Sequence, residues 1–216
     1  MNDYSKTIIG YDSLFNQILN GLINKKISNS LIFFGDKGIG KKTFTLSLLN
    51  KFYNYFDSNT NTSNLIYNNT HPNIINISTE YDQKTKKMKN DISIDQIRNI
   101  LPFMKNSSLN NISKFLIIDT TDDLNTSSSN SLLKILEEPN SDTYNILLVN
   151  QISQLLPTIR SRCIKFFFPN PSFENFSKII INNNNDIKNE TIKFLYDLSN
   201  HSPGLALNLF NDDINL

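Results

Sequence analysis

Apolar positions along the chain fall into two rhythms, short unbroken runs and longer segments at helical spacing. Tyr11 to Lys26 carries Leu14, Phe15, Ile18, Leu19 and Leu22 at intervals of three and four, which predicts an amphipathic helix. Ser30 to Phe34 is a short apolar run ending at Gly35, and Lys41 to Tyr53 sets Phe44, Leu48, Leu49 and Phe52 on one helical face. The order is strand, glycine loop, helix. Asp57 to Thr70 is rich in Asn, Ser and Thr with little periodicity and reads as a surface loop closed by His71 and Pro72. Asn73 to Ile77 predicts a second strand, and the charged Tyr81 to Asn90 an exposed turn or hairpin.

Further on, Ile94, Ile97, Ile100 and Leu101 predict a helix over Ser93 to Lys105, with Ser93 as its cap. Lys114 to Asp119 is an apolar strand closing on an acid, followed by a helix over Ser127 to Glu138 that Pro139 ends. Tyr144 to Val149 and Ile164 to Phe168 complete a set of five strands. Strands alternating with helices predict an α/β fold, a five-stranded, mostly parallel sheet with helices on both faces. After Pro169 and Pro171 the pattern turns wholly helical, over Phe173 to Ile181, Thr191 to Leu198 and Leu205 to Phe210, with an Asn-rich loop at Asn182 to Asn185. The expected domains are 1–169, an α/β unit, and 170–216, a small helical lid.

Composition narrows the function only by exclusion. Asn, Ile, Lys, Phe and Tyr are abundant and Trp is absent, a mixture that biased codon usage explains without function. With 21 basic and 20 acidic residues the net charge is +1, so the whole molecule lacks the electrostatic footprint of a free-standing DNA binder. The single cysteine, Cys163, excludes an internal disulfide and a cysteine-rich zinc site. His71 and His201 lie far apart and read as surface or capping residues. Met1 to Gly10 lacks the layout of a signal peptide, and no apolar run approaches the ~20 residues of a membrane span. A cytoplasmic protein with no membrane contact is expected.

Chemistry concentrates at the first glycine loop. Gly35-Asp36-Lys37-Gly38-Ile39-Gly40-Lys41 fits the G-x-x-x-x-G-K core of a Walker A loop. Its glycines let backbone N–H groups turn toward phosphate oxygens, the following helix offers its N-terminus, and Lys41 reaches the terminal phosphates. The next position should be Ser or Thr, to hold magnesium. Lys42 stands there, with Thr43 one residue late, and an ammonium repels a metal. Phe115 to Asp119 reads as a Walker B strand with Asp119 placed for the metal. Hydrolysing members of this class follow that Asp with a Glu that polarises water. Here Thr120 follows, and Asp122 and Asp123 come too late to fill the same space. Two independent defects point to a degenerate nucleotide site, formed by Gly35, Gly38, Gly40, Lys41, Thr43 and Asp119, that binds ATP or ADP weakly or not at all and requires no cofactor.

Four further stretches carry a family resemblance. They are Asn130-Ser131-Leu132-Leu133-Lys134-Ile135-Leu136-Glu137-Glu138-Pro139, Leu156-Pro157-Thr158-Ile159-Arg160-Ser161-Arg162-Cys163, His71-Pro72-Asn73 with Ile94-Asp95-Gln96-Ile97-Arg98, and His201-Ser202-Pro203-Gly204-Leu205-Ala206. Together they resemble the clamp-loader branch of the AAA+ P-loop proteins, and within it the DNA polymerase III delta-prime family, over Ile8 to about Phe210. The resemblance implies that Arg162 is an arginine finger acting in trans on a neighbour's ATP, a role suited to a permanently charged, planar donor; the alternative for the same residue is a structural ion pair at the strand entrance. Arg160 is then a supporting or surface charge. It also implies that Gly204 stands where hydrolysing relatives carry a sensor arginine, and that Asn150 lies at the sensor-1 location.

The partners implied are the gamma/tau and delta clamp-loader subunits, with the sliding clamp and primed DNA reached through the assembly. Two departures from the pattern bear on this. Asp57 to Thr70 contains no cysteine where many relatives carry a four-cysteine zinc module, so no zinc is expected. The sequence stops at Leu216, where the family continues into a helical collar, and the expectation is a subunit lacking that domain. The rival reading is an active ATPase of the gamma/tau type, which needs Thr43 to serve the metal and another acid in place of the missing Glu. A P-loop nucleotide kinase is more distant, because no acceptor site or basic lid is evident.

Overall fold

The structure, a computed structural model, describes residues 8–57, 61–82, 86–89, 91–138, 142–183 and 187–213. Pro139, the expected end of one helix, lies outside the described residues, as does part of the Asn-rich loop near Asn185. The first half of the chain forms α1 (Asp12–Ile23), β1 (Ser30–Phe34), α2 (Lys41–Phe56), α3 (Thr62–Tyr67), β2 (Ile74–Ile77), a small hairpin of β3 (Tyr81–Asp82) and β4 (Lys87–Met88), α4 (Ile94–Arg98) and α5 (Leu101–Lys105). The second half forms β5 (Lys114–Ile118), α6 (Thr126–Glu137), β6 (Thr143–Val149), α7 (Pro157–Arg162), β7 (Ile164–Phe167), α8 (Phe173–Asn183), α9 (Asn189–Leu198) and α10 (Pro203–Asp213).

Five strands make one parallel sheet in the order β2-β5-β6-β1-β7. The central strands are buried on both faces, so side chains of alternating parity feed two separate cores. Leu31 and Phe33 of β1, Phe115 and Ile117 of β5 and Ile146 and Leu148 of β6 meet α1 and α2 on one face. Ile32, Leu116, Ile118, Leu147 and Val149 meet the helices of the opposite face, where Ile97, Leu132 and Ile159 are buried. A third cluster, Phe176, Ile180, Ile192, Leu195 and Ala206, is internal to α8–α10. Among the described residues no helix is long and apolar enough to cross a membrane.

Three expectations need correction. The segment Asp57 to Thr70 is not simply a loop: Thr62 and Ile66, four residues apart, bury one face of α3 against α2. Its polar composition concealed a single apolar anchor. The helix expected over Ser93 to Lys105 is two helices, because the Pro102 ring, at the second position of α5, is incompatible with continuing the turn before it. Ser93 does cap α4, through a capping box with Gln96. Finally, Asn182 and Asn183 belong to α8 rather than to a loop.

Phe44 is the centre of the first core. Its ring lies 4.8 Å from Phe168, 5.4 Å from Phe15 and 5.7 Å from Phe33, in edge-to-face contacts that favour aromatic pairs beyond area burial. It thus fixes α2, and with it the glycine loop, against the sheet. Phe44→Ala is expected to lower stability by about 3–5 kcal/mol, read from the urea midpoint at unchanged slope.

Candidate functional site

Parallel pairing brings three strand ends to one edge. Phe34 pairs with Val149, Ile118 pairs with Leu147, and the residues that follow are Gly35, Asn150 and Asp119. This is the carboxyl edge of the sheet, where ligands of open α/β folds bind. Gly38 (φ 81°) and Gly40 (φ 100°) turn the chain from β1 into α2 through the left-handed region. That turn folds Lys41 inward until it is only 7% exposed.

The Lys41 ammonium donates to Gly35 O at 2.7 Å, to Asp36 O at 2.8 Å and to Asn150 Oδ1 at 3.0 Å. All three protons are therefore used. Burial lowers its pKa from 10.5 to about 8, against the opposing pull of the Asp122, Asp119 and Asp36 carboxylates. Asp122 also fixes the end of β6, accepting from Asn150 N at 3.1 Å and Gln151 N at 3.2 Å. It therefore orients the side chain that Lys41 grips.

Next to this pair the position normally given to a metal is taken. Lys42 Nζ lies 2.9 Å from Asp119 Oδ2. Magnesium wants near-octahedral oxygen ligands. Here the acid is already neutralised, the ligating hydroxyl is absent and a cation stands beside it, so this donor set does not fit the metal. Among the described residues no group of three or more His, Cys, Asp or Glu could hold a metal ion. Thr120, where an acid would polarise water, has φ 55°, rare for a β-branched residue, and its hydroxyl donates to Asp119 O at 2.7 Å.

The helical unit rests on the loop. Ser202 Oγ donates to Lys37 O at 2.8 Å, Gly204 N donates to Gly38 O at 2.8 Å, and Asn170 Nδ2 reaches Asp36 Oδ2 at 2.8 Å. A Cβ on Gly204 would sit 2.7 Å from Gly38 O, so only glycine permits this approach. Beside the contact lies a cavity of about 450 Å³, of a size that takes small ligands. Ile8, Tyr11, Ile39, Thr43, Asn182 and Leu207 are among its lining residues. Thr43 thus faces the cavity side of the loop, while Lys42 meets the acid.

Arg162 is elsewhere. It ends α7 just before β7, whose first residue Ile164 pairs with Leu31 near the start of β1, toward the amino edge of the sheet. Its guanidinium donates to Thr158 O at 2.9 Å and to Glu137 Oε1 at 2.7 Å. Glu137 comes from the Leu-Glu-Glu end of α6 and is 25 residues away in sequence. The structure therefore brings Gly35, Gly38, Gly40, Lys41 and Asp119 to one edge, turns Thr43 to the cavity side of the loop and sets Arg162 apart. Asp122 enters the site although spacing alone had placed it too late; its role is at β6, not in the space beside Asp119. Buried Cys163, with its pKa raised to about 11, offers no reactive thiolate.

This strand order, with a phosphate loop after the first strand and a helical unit seated on it, defines an AAA+ type P-loop domain. Solved structures agree on the fold. A DNA polymerase III gamma subunit-related protein of Thermotoga maritima covers 78% of the chain and is itself covered over 49%, at TM-score 0.55 and 20% identity. The RuvB Holliday junction branch migration motor of the same organism covers 93%, is covered over 60%, and gives 0.56 at 18% identity. The family model for "DNA polymerase III, delta subunit" matches residues 10–172. The delta-prime subunit of Pseudomonas aeruginosa is 30% identical over 145 residues, 67% of this chain and 42% of that one. The gamma subunit of Buchnera aphidicola subsp. Schizaphis graminum is 30% identical over 218 residues, 98% of this chain and 58% of that one. The chain belongs to the DNA polymerase III delta-prime subunit family, in the clamp-loader branch of the AAA+ proteins. It spans about half the length of the curated relatives it matches.

Two expectations test this geometry. Gly204→Ala forces the helical unit off Gly38 and is expected to cost about 1–3 kcal/mol in equilibrium unfolding. For Lys41, the folded pKa of about 8 lies below the unfolded 10.5, so between these values the unfolded chain binds the extra proton and stability rises with pH. Lys41→Met should lose that rise, seen by comparing urea midpoints of the two proteins at pH 8 and pH 10.

Proposed function

We propose that the chain serves as a non-hydrolysing clamp-loader subunit of the delta-prime type, which lends Arg162 to the ATP site of a neighbouring gamma/tau subunit. The observation that carries this reading is the Lys42–Asp119 pair at 2.9 Å, which takes the acid a hydrolysing site needs for its metal. Thr120 supplies no base in place of the missing Glu, because a hydroxyl has no basicity near neutral pH. At most, ATP or ADP occupies the loop without being processed.

The position of Arg162 supports the second half of the reading. It lies toward the opposite edge of the sheet from the loop of its own chain, so it is suited to act only on another molecule's nucleotide. Glu137 and Thr158 O engage part of its five-donor fork and pre-orient it, leaving it partly exposed. The partners that fit are gamma/tau and delta, with the sliding clamp and primed DNA acting through the assembly. In this arrangement the segment from about residue 170 onward acts as a lid seated on the loop.

A second reading, an active gamma-type ATPase, is favoured by the gamma relative that aligns over 98% of the chain. Lys42, Thr120 and Gly204 stand against it. Phosphate release by the purified chain decides between the two: none is expected, and turnover abolished by Lys41→Ala would establish the rival. In a clamp loader reconstituted with gamma/tau and delta, Arg162→Ala should lower ATP turnover by roughly tenfold or more, given that such fingers contribute about 10³–10⁵ in phosphoryl transfer. Parental turnover by the mutant assembly would remove the finger assignment.

A further inference from the structure

The phosphate loop keeps its glycines, its helix N-terminus and its buried lysine, yet its donor set does not fit the divalent cation that P-loops use. Lys42 fills that place with a different charge. Its Nζ is 2.9 Å from Asp119 Oδ2, while its side chain is 45% exposed and Asp119's is 23% exposed. The ammonium is thus anchored on the acid at one side and open at the other. It carries three donors, so one can stay on the carboxylate while the others meet an anion. A metal in a hydrolysing P-loop makes the same bridge, between a carboxylate and phosphate oxygens.

The charge of Asp119 is already matched by Lys42. Lys41 already faces Gly35 O, Asp36 O and Asn150 Oδ1, with Asp36, Asp119 and Asp122 as the surrounding carboxylates. A divalent ion entering here would have to displace Lys42 from Asp119 and then remain beside a displaced ammonium, a repulsive contact at short range. A polyphosphate entering without metal meets the open side of the Lys42 ammonium and the first turn of α2, while Lys41 stays on its three internal acceptors.

We propose that the Lys42 ammonium replaces the divalent cation, so that this loop takes the polyphosphate of a nucleoside di- or triphosphate without a magnesium requirement. The proposal rests on the reading of the loop as a non-hydrolysing nucleotide site. It assigns Lys42 as a binding residue, and it assigns the Lys42–Asp119 pair a function beyond blocking hydrolysis.

The test is calorimetric titration of the full chain with ADP and with ATP, in buffer containing EDTA and in buffer containing excess magnesium. The dissociation constant is expected to agree within roughly twofold between the buffers, a difference well under 1 kcal/mol. Lys42→Thr restores a hydroxyl and frees Asp119, and its affinity should rise by about tenfold or more when magnesium is added. The pair is on the surface, so the variant should keep its fold, checked by circular dichroism. If Lys42→Thr loses its fold, Asp119→Asn takes its place: it weakens the anchor and should reduce affinity equally in both buffers. Binding by the parent protein only with magnesium overturns the proposal. So does no binding in either buffer, a Lys42→Thr variant indifferent to the metal, or, in the fallback, a folded Asp119→Asn of parental affinity. Phosphate release measured on the same samples reports separately on the non-hydrolysing reading, which fails only if turnover is seen.

Discussion

The buried ammonium of Lys41 can be satisfied only if three strand ends arrive together. Gly35 follows β1 and Asn150 follows β6, and both accept from it. Asn150 is held in turn by Asp122, which follows β5. A slip of one residue between β6 and β1 would reverse the facing of Val149 and Phe34 and carry Asn150 away from the loop. The ammonium would then be buried with a proton unpaired, which is costly. Sheet register and site geometry are thus one constraint. The aromatic cluster around Phe44 serves the same end, because it seats α2 and thereby the residue that begins it.

Strands and long helices were legible because their signal is local. A run such as Leu31, Ile32 and Phe33 is buried on both faces whatever surrounds it, and the Leu48, Leu49 and Phe52 stripe needs one apolar wall. Fold and pattern part where a single residue outweighs its neighbours. Ile66 is the buried apolar anchor of α3 in a polar stretch, and Pro102 divides α4 from α5. Lys114 shows a further limit. It opens β5 as an apparently ordinary charge, yet it is buried, and its ammonium meets the carbonyls of Phe103 and Asn106 at the end of α5. Nothing in its own neighbourhood of sequence announces that partner.

The site divides in the same way. The glycine loop, Lys41 and Asp119 are set by spacing within one strand–turn–helix unit or one strand, so pattern alone places them at one edge of the sheet. The expectation that Lys42 repels a metal follows from its charge alone. That it pairs with Asp119 depends on two elements separated by more than seventy residues meeting at one edge, which pattern does not encode. Asp122 against β6 and Glu137 against Arg162 are contacts of the same kind. Each becomes visible only once topology has placed adjacent strands and helices side by side.

The glycine at 204 follows a related logic. Glycine where the resemblance expects an arginine reads first as simple loss of function. In the folded chain it permits the backbone N–H of Gly204 to donate to Gly38 O, an approach that any Cβ would block. Ser202 and Asn170 add bonds to the same loop, from either side. A nucleotide-driven hinge needs the helical unit and the loop to be free to part, with bound phosphate as the link between them. Here the protein supplies the link itself. Together with the Lys42–Asp119 pair, these bonds hold the helical unit and the loop against each other. That arrangement fits the proposed reading, in which the chain presents Arg162 to a neighbour rather than cycling its own nucleotide.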